Sequence, residues 1–263
     1  MWRTALHLSL ACGLISTAAL ADEWSKNYNI SGRADLRVDA NDGAVIIHTW
    51  DRREIAARVS TIGWKLAPNE VQVIDRQIGD RVELEVHIPH RPFNIVLGRR
   101  SIRVELDVPR DLRSDIRTGD GSITVQGLHG ETHLHTGDGH IDADGLDGSL
   151  DANTGDGRVR VRGRFDLLSL HTGDGSIDAE VENGSRMTSD WTVRTGDGHV
   201  TLRLPQNFSA DLDVHTGDGH IQSDLPVTVS GTHRDHELRG KLNSGGALLT
   251  VRTNDGSIRL ERM

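Results

Sequence analysis

A four-residue string, Thr-Gly-Asp-Gly, recurs along the second half of this chain and constrains its fold more than any other feature. Its threonine falls at positions 118, 136, 154, 172, 195, 216 and 253, so the spacings are 18, 18, 18, 23, 21 and 37 residues. The last copy reads Thr-Asn-Asp-Gly, and Asn41-Asp42-Gly43 near the start of the chain matches it. A constant period followed by longer ones is typical of stacked units that carry insertions.

Each repeat unit has the pattern of short β-strands separated by turns. Residues 122–125 alternate polar and apolar side chains, the glycines of 127–130 interrupt this alternation, and 131–135 resume it. A period of two is typical of strands with one buried face. No helical period is sustained between 111 and 263, so the chain is predicted to be all-β.

These units predict a single-stranded parallel β-helix, or β-solenoid, with about 18–23 residues per coil. Neighbouring coils would lie about 4.8 Å apart, which is the spacing of paired strands. A single coil buries too few apolar side chains to offset the entropy of ordering it, so the stack is the folding unit. Right-handed coiling is predicted, because parallel crossover connections have this hand.

Residues 1–21 are predicted to be a signal peptide. Arg3 precedes an apolar stretch that ends in Ala19-Leu20-Ala21, and the mature chain would begin at Asp22. The apolar stretch is too short and too interrupted to span a membrane, so no transmembrane segment is predicted in the mature chain. Cys12 has only a weak lipoprotein context, and the mature chain contains no cysteine for a disulfide.

The mature chain is predicted to have two parts. Residues 22–110 have less regular strands punctuated by proline, and we expect them to form the first coils and an irregular β cap. Residues 111–263 are predicted to form the TGDG-repeat solenoid. An insertion at 225–248, rich in Gly, Ser, His and Arg, is predicted to shield the far end or to bind a partner.

The repeated corner is interpreted first as a turn. Its glycines permit positive φ and a close approach of neighbouring coils. The aspartate can accept N–H groups of the turn, and the threonine can turn its methyl inward or join a hydroxyl ladder. The residues given this structural role are Gly119, Gly121, Gly137, Gly139, Gly155, Gly157, Gly173, Gly175, Gly196, Gly198, Gly217, Gly219, Asp255 and Gly256.

A calcium site at these corners is the alternative interpretation. Stacking would place the aspartates in a column, where neighbouring carboxylates repel one another unless N–H donors, flanking cations or an ion compensate. Ca²⁺ prefers oxygen ligands, but calcium-binding β-rolls are acidic at both corners of a coil, whereas only one corner is regularly acidic here. No other cofactor is predicted. The candidate ligands are Asp120, Asp138, Asp156, Asp174, Asp197 and Asp218.

Histidines flank several corners and raise the question of a transition metal. His135 and His171 are predicted to lie two coils apart, which is too far for a shared ion. His199 and His220 are predicted to lie on successive coils and could meet. The favoured interpretation is that these histidines are solvated, outward side chains; a transition-metal site is the alternative.

No catalytic site is predicted. The same corner recurs in every coil, and the sequence lacks GxSxG, HExxH, a cysteine nucleophile in the mature chain and a phosphate-binding loop. A polysaccharide-active β-helix enzyme is kept as an alternative. The formal net charge of −9 argues against a nucleic-acid partner, since phosphate binding needs positive charge.

Several stretches resemble those of a known bacterial family. These are the strand ending in NDGAVIIHTW, the stretch VELDVPRDLRSDIRTGDGSITV, the serial TGDG corners and the final LRGKLNSGGALLTVRTNDGSIRL. They are similar to the "putative adhesin" family, whose β-strand repeats form a domain of unknown function, and the resemblance covers most of 22–263.

This resemblance implies a parallel β-helix, an extracytoplasmic location and no catalytic residues. The expected function is that of an exported, non-enzymatic solenoid of the periplasm, the outer surface or the medium. Its expected partner is a protein or a glycan of the cell envelope or of another surface.

Overall fold

The computed structural model describes residues 21–89, 100–229 and 235–263. Twenty-one β-strands and no helix occur in these ranges, so the predicted all-β fold is confirmed. The predicted signal peptide, apart from Ala21, lies outside the described residues, as does Cys12. None of the described segments is a helix with the length and apolarity needed to cross a bilayer.

The strands alternate with short turns along the whole chain. They are β1 (Ala21–Asn29), β2 (Ala34–Ala40), β3 (Ala44–Trp50), β4 (Glu54–Ile62), β5 (Gln72–Ile78), β6 (Arg81–His87), β7 (Ser101–Pro109), β8 (Asp111–Thr118), β9 (Ile123–Gln126), β10 (His129–Thr136), β11 (Ile141–Thr154), β12 (Val159–Thr172), β13 (Ile177–Val181), β14 (Trp191–Thr195), β15 (Val200–Leu204), β16 (Ala210–Thr216), β17 (Ile221–Ser223), β18 (Val227–Val229), β19 (Glu237–Leu242), β20 (Leu248–Thr253) and β21 (Ile258–Arg262).

Strand pairing arranges these strands in two rows on either side of the core. The upstream row contains the strands that enter the corners, in the spatial order β5, β6, β2, β8, β10, β11, β12, β14, β20, β16, β19 and β18. The downstream row contains the strands that leave them, in the order β1, β4, β7, β3, β9, β11, β12, β13, β15, β21 and β17. Strands β11 and β12 bend and belong to both rows.

The middle of the stack has the register that the repeat predicts. His129 on β10 pairs in parallel with Asp111 and with Asp147, each 18 residues away. Ile123, Ile141 and Val159 are fully buried at equivalent positions, so β-branched apolar side chains stack on the inner face. The fold is thus solenoid-like, as predicted, while its right-handed coiling and the domain boundaries stay predictions.

At the C-terminal end the strands do not stack in chain order. Strand β20 lies between β14 and β16, and β21 lies between β15 and β17. The last strand pair of the chain therefore fills a position one coil inside the end. The predicted sequential order of coils is wrong here, because three nearly equivalent corner units compete for each position and the longer connections permit the exchange.

The N-terminal end has a related exchange. Strands β2 and β3 lie between β8–β9 on one side and β6–β7 on the other. Strands β1, β4 and β5 then continue the two rows with antiparallel pairing. At the other end β19 and β18 add antiparallel strands beside β16. Antiparallel strands therefore flank a parallel centre at both ends.

Candidate functional site

A ladder of threonine side chains runs along the corner edge of the stack. Each hydroxyl donates a hydrogen bond of 2.6–2.9 Å to the carbonyl oxygen of the second corner glycine in the neighbouring coil. These threonines are at most 5% exposed, so the bonds satisfy carbonyl groups that water does not reach. The ladder joins Thr118 to Gly43, Thr136 to Gly121, Thr154 to Gly139, Thr172 to Gly157, Thr195 to Gly175, Thr253 to Gly198 and Thr216 to Gly256.

The donors of the corner are satisfied by the same ladder and by the neighbouring coil. The N–H of Gly139 donates to the Thr136 hydroxyl at 3.2 Å, and the equivalent bond recurs at Gly157, Gly175 and Gly198. The N–H of Gly137 donates to the Gly119 carbonyl of the preceding coil. Across the described corners no carboxylate accepts a turn N–H, so the predicted bonding role of the aspartates is wrong.

The corner glycines lie against the backbone of the next coil. A Cβ atom added to Gly121, Gly139, Gly157, Gly175, Gly198, Gly219 or Gly256 would lie less than 3.0 Å from a glycine carbonyl oxygen. The first glycines are similarly close: a Cβ on Gly155 would lie 2.6 Å from the Gly137 oxygen, and Gly119, Gly137, Gly173, Gly196 and Gly217 are equally restricted. The predicted positive φ is not found at these corners. It occurs at the opposite corners instead, for example at Gly127 (73°) and Gly145 (65°).

The predicted aspartate column is exposed. Asp120, Asp138, Asp156, Asp174, Asp197, Asp218 and Asp255 all carry exposed side chains. Within the described part of the chain these carboxylates make no ion pair with Lys, Arg or His. No group of three or more described His, Cys, Asp or Glu side chains is placed to hold a metal ion.

The histidines do not form the pair that was kept as an alternative to solvated side chains. His199 and His220 are separated by Ser257, because the carbonyl of Ser257 accepts from Val200 while the carbonyl of His220 accepts from Ile258. The prediction of successive coils is therefore wrong, and the exchange of β20–β21 is the cause. Nδ1 of His199 accepts the N–H of Ser257 at 3.1 Å, so this nitrogen already has a backbone partner.

A groove on the outer face of the downstream row is the best candidate for a binding site. Two adjoining hollows of about 360 and 280 Å³ share Asp178 and run across β9, β11, β12, β13, β15 and β21. Side chains at alternate positions of these strands point outward and line it. The polar lining residues are Thr124, Gln126, Asp142, Asp144, Arg160, Arg162, Ser176, Asp178, Glu180, His199, Thr201, Arg203, Ser257 and Arg259.

One column of charges in the groove is neutralised internally. Arg162 lies 3.9 Å from Asp144, 3.4 Å from Glu180 and 3.0 Å from Glu182. Arg203 likewise pairs with Glu261 at 3.0 Å. These exposed pairs hold one another in place, and each contributes at most about 1 kcal/mol to stability.

The neighbouring column is not neutralised in this way. Asp142, Arg160 and Asp178 are partners in adjacent parallel strands. In the described residues none of the three has an oppositely charged group within 4.0 Å. The groove therefore presents carboxylate, guanidinium and carboxylate in alternation, about 4.8 Å apart from strand to strand, and no side-chain hydrogen bond to another described residue occupies them.

Sequence reasoning missed this column because it concentrated on the corners. The signal was present one residue after the first apolar residue that follows each corner (Ile141, Val159 and Ile177), where side chains of alternating charge recur. Only the spatial order of the strands shows that Arg160 lies between Asp142 and Asp178.

Two carboxyl groups with lowered pKa values lie outside the groove. Hydrogen bonds from the backbone and hydroxyl of Ser31, and from the N–H of Gly32, lower the pKa of Asp80. The hydrogen bond from His133, followed by the charge of Arg113, lowers the pKa of Glu131. Perturbed carboxyls mark many catalytic sites, but both groups here are held by local bonds on a different part of the surface.

Comparison with solved structures gives distant similarities. A "putative cell adhesion protein" from Clostridium sporogenes has 12% identity and a TM-score of 0.42, with 93% of this chain and 100% of that chain covered. A "putative adhesin" from Bacteroides fragilis has 13% identity, coverage of 92% and 97%, and a TM-score of 0.43. A "putative adhesin" from Parabacteroides merdae has 11% identity, coverage of 91% and 96%, and a TM-score of 0.46. None of these three proteins is named as an enzyme.

Comparison with protein families gives a more specific result. No curated protein matches the chain. The family described as Toastrack DUF4097 matches residues 101–261, which cover the parallel strands from β7 onward and all seven TGDG-type corners. Since this match spans more than half of the sequence, the chain belongs to the Toastrack DUF4097 family.

Proposed function

We propose that this protein is an exported, non-enzymatic component of the cell envelope or surface, and that it binds a partner along the downstream groove. The observation that carries the proposal is the unpaired column of Asp142, Arg160 and Asp178 on the outer face of a rigid parallel stack. The family membership and the leader-like residues 1–21 support the location.

The partner suited to this groove is extended and polar. Carboxylates accept hydrogen bonds and a guanidinium donates them, so the column offers both in alternation to a chain that runs along the stack. Glycan hydroxyl groups and polypeptide polar groups can both use such an array. The groove lining contains no Phe, Tyr or Trp side chain, so affinity would come from many hydrogen bonds rather than from stacking on such rings.

We also propose that the corners are architectural. Thr and Gly close each corner and contact the next coil, while the exposed aspartates keep this edge hydrated. A repeated corner offers the same groups in every coil, whereas an enzyme concentrates a distinct set of groups at one place. A role in binding is therefore assigned to the groove, not to the corners.

The binding proposal is tested with a double variant. Arg160→Ala with Asp178→Ala removes one charge of each sign from the groove, and Arg194→Ala with Asp197→Ala removes the same two charges from the corner edge. Binding is measured by cosedimentation with envelopes of the producing organism and on an array of bacterial glycans. We expect at least a tenfold loss of affinity in the groove variant alone, which is about 1.4 kcal/mol. Equal losses in both variants would contradict the proposal.

The location is tested separately. Fractionation of cells and protease treatment of intact cells are expected to place the processed chain outside the cytoplasm. Recovery of the chain in the cytoplasm with residues 1–21 intact would overturn the export proposal, whatever the result of the binding experiment.

A further inference from the structure

Strand β5 is the last strand of the upstream row and has a free backbone edge. Among the described strands it pairs only with β6, and a two-residue turn of Gly79 (φ 59°) and Asp80 joins the two. In such a hairpin the residues that flank the turn exchange both backbone hydrogen bonds, and bonded pairs then alternate. The N–H and C=O groups of Val73, Asp75 and Gln77 therefore face away from β6. No hydrogen bond reaches these groups from any other described residue.

The outer face of β5 differs from the rest of its row. Ile74 and Ile78 point outward, since their strand partners Glu85 and Arg81 lie on the exposed face of β6. They are 50% and 55% exposed, the largest values among the large apolar side chains of the described residues. Every outward position of the next three strands carries a charged side chain or a histidine, namely Arg81, Glu83, Glu85, His87, Asp35, Arg37, Asp39, Asp111, Arg113, Asp115 and Arg117. An exposed apolar pair beside an unpaired strand edge indicates an interaction site.

Charge alternates along one column of this face as far as β5. Arg76 is the strand partner of Glu83, Glu83 that of Arg37, and Arg37 that of Asp115. The signs are therefore positive, negative, positive and negative over four adjacent strands. Opposite charges directly across neighbouring strands stabilise a sheet, whereas like charges destabilise it. A strand added beside β5 would continue the alternation if it placed a carboxylate opposite Arg76.

The guanidinium of Arg76 is available to such a carboxylate. No described carboxylate lies within 4.0 Å of it, although Glu83 is its strand partner. Elsewhere in the stack one arginine serves carboxylates on both neighbouring strands, because Arg162 lies 3.9 Å from Asp144 and 3.4 Å from Glu180. Arg76 has a strand with a carboxylate on one side only, and the other side is the free edge.

A second copy of β5 does not match this edge. Antiparallel pairing of two β5 strands over their whole length would place Ile74 opposite Arg76 and Ile78 opposite Gln72, so neither isoleucine would lie directly opposite an apolar side chain. The shift that sets Ile74 opposite Ile78 would place Arg76 opposite Arg76. Like charges in directly opposite positions are destabilising, so the edge favours a different strand.

We propose that β5 accepts an added strand from a partner polypeptide whose side chains are apolar, acidic and apolar at three alternate positions. The apolar side chains cover Ile74 and Ile78, and the acidic side chain pairs with Arg76. Backbone hydrogen bonds to the free edge give affinity that is independent of sequence, and the three side chains give specificity. This site lies on the upstream row, so it is separate from the downstream groove and does not rest on the function proposed for that groove.

The test measures the affinity of a labelled peptide, Ser-Val-Thr-Glu-Thr-Val-Ser, for the chain without residues 1–20, which keeps all described strands. Fluorescence polarisation gives the dissociation constant. The control peptide carries an N-methyl group on both threonines. It keeps every side chain but lacks the two N–H groups that would face β5 when glutamate lies opposite Arg76. We expect the control peptide to bind about tenfold more weakly or worse.

Two variants at one position test the backbone edge of the protein itself. Gln77→Pro removes an N–H that faces the free edge, and the β5–β6 ladder does not use this N–H. Gln77→Ala removes the same side chain but keeps the N–H. Peptide affinity is expected to fall about tenfold or more in Gln77→Pro relative to Gln77→Ala. Equal urea midpoints of the two variants are expected and confirm that β5 stays folded.

A charge exchange tests the side-chain pattern without a change of backbone. Arg76→Glu is expected to weaken binding of the glutamate peptide about threefold to tenfold, and to reverse the preference in favour of Ser-Val-Thr-Lys-Thr-Val-Ser. Arg194→Glu reverses the charge of an exposed, outward arginine on β14 and is the matched control. It is expected to leave the affinity for both peptides unchanged.

Binding that is lost on N-methylation and in Gln77→Pro, and that follows the charge exchange, supports strand addition. No binding at about 1 mM peptide overturns the proposal, as does equal affinity of Gln77→Pro and Gln77→Ala. A dimer of the parent chain that Gln77→Pro dissociates also overturns it, because a second copy would then occupy the edge. Failure of peptide binding leaves the groove experiment and the cell fractionation unaffected, so the two proposals can fail independently.

Discussion

Thr253 donates its hydroxyl to the carbonyl oxygen of Gly198 over 2.9 Å, although the two residues are 55 positions apart in the sequence. The corner that follows Gly198 in the chain, at Thr216, bonds instead to Gly256. The C-terminal strands thus lock the last coils together, and the stack is complete only when the end of the chain is in place.

The position of β21 between β15 and β17 predicts which pairs of introduced cysteines form disulfides. Thr201 is the strand partner of Arg259, which lies between it and Gln222. In the chain without residues 1–20, which has no other cysteine, Thr201→Cys with Arg259→Cys is expected to oxidise readily. Thr201→Cys with Gln222→Cys is expected to stay reduced, because residues two strands apart exceed the roughly 7 Å limit of a disulfide. Mass spectrometry after mild oxidation measures both, and the reverse result would restore the sequential order of coils.

Removal of one hydroxyl from the threonine ladder is expected to destabilise the fold. Thr154→Val keeps the shape but leaves the Gly139 carbonyl and the Gly157 N–H without their partner. Loss of a buried polar partner costs about 1–3 kcal/mol of unfolding free energy. Thr192→Val, at an outward position of β14, is the control and should change the free energy of unfolding by less than about 0.5 kcal/mol. Urea unfolding measures both, and equal effects would show that the ladder is incidental.

Acidification is expected to remove one local contribution to stability. Hydrogen bonds from Ser31 and Gly32 lower the pKa of Asp80. Its carboxylate therefore stabilises the folded state fully at pH values above 3.8, the ordinary pKa of the group. This contribution is lost as the pH falls through the lowered folded pKa. Asp80→Asn should therefore be less stable than the parent at neutral pH, and the difference should shrink below pH 3.8. A difference that is independent of pH in thermal melts would contradict this assignment.

Calcium is expected to have little effect on stability. The corner carboxylates are exposed, one to a coil, and the neighbouring carbonyl groups already accept hydrogen bonds from threonine and glycine. A calcium site needs six to eight oxygen ligands, which this edge does not assemble. Melting temperatures in millimolar calcium and in chelator should agree. A clear rise with calcium that is lost in Asp138→Asn with Asp156→Asn would identify an ion site.

The repeat predicts the fold well where a single arrangement of the coils buries the inward side chains of every unit. A period of 18 residues with inward Ile123 and Ile141 leaves a parallel stack as the arrangement that buries both. The order of the last coils was not predictable in this way. The units at 195, 216 and 253 have the same inward and outward pattern, so pattern alone does not decide which of them are neighbours.

The corner chemistry was predicted only in part. The glycines were expected at close approaches, and the geometry at Gly139 and Gly157 agrees. Asp was given the role that Thr performs, because both side chains can accept a turn N–H and the sequence does not show which one points inward. The groove was missed because Asp142, Arg160 and Asp178 become neighbours only through the register of β11, β12 and β13.

The most direct test of this account compares two adjacent residues of one corner. Asp156 is exposed, whereas a Cβ on Gly157 would meet the Gly139 carbonyl. Urea unfolding of Asp156→Ala is predicted to match the parent within about 0.5 kcal/mol. Gly157→Ala is predicted to lose at least about 1–3 kcal/mol through overpacking between coils. A large loss in Asp156→Ala together with a tolerated Gly157→Ala would show that the aspartates, not the close contact of stacked corners, hold this edge.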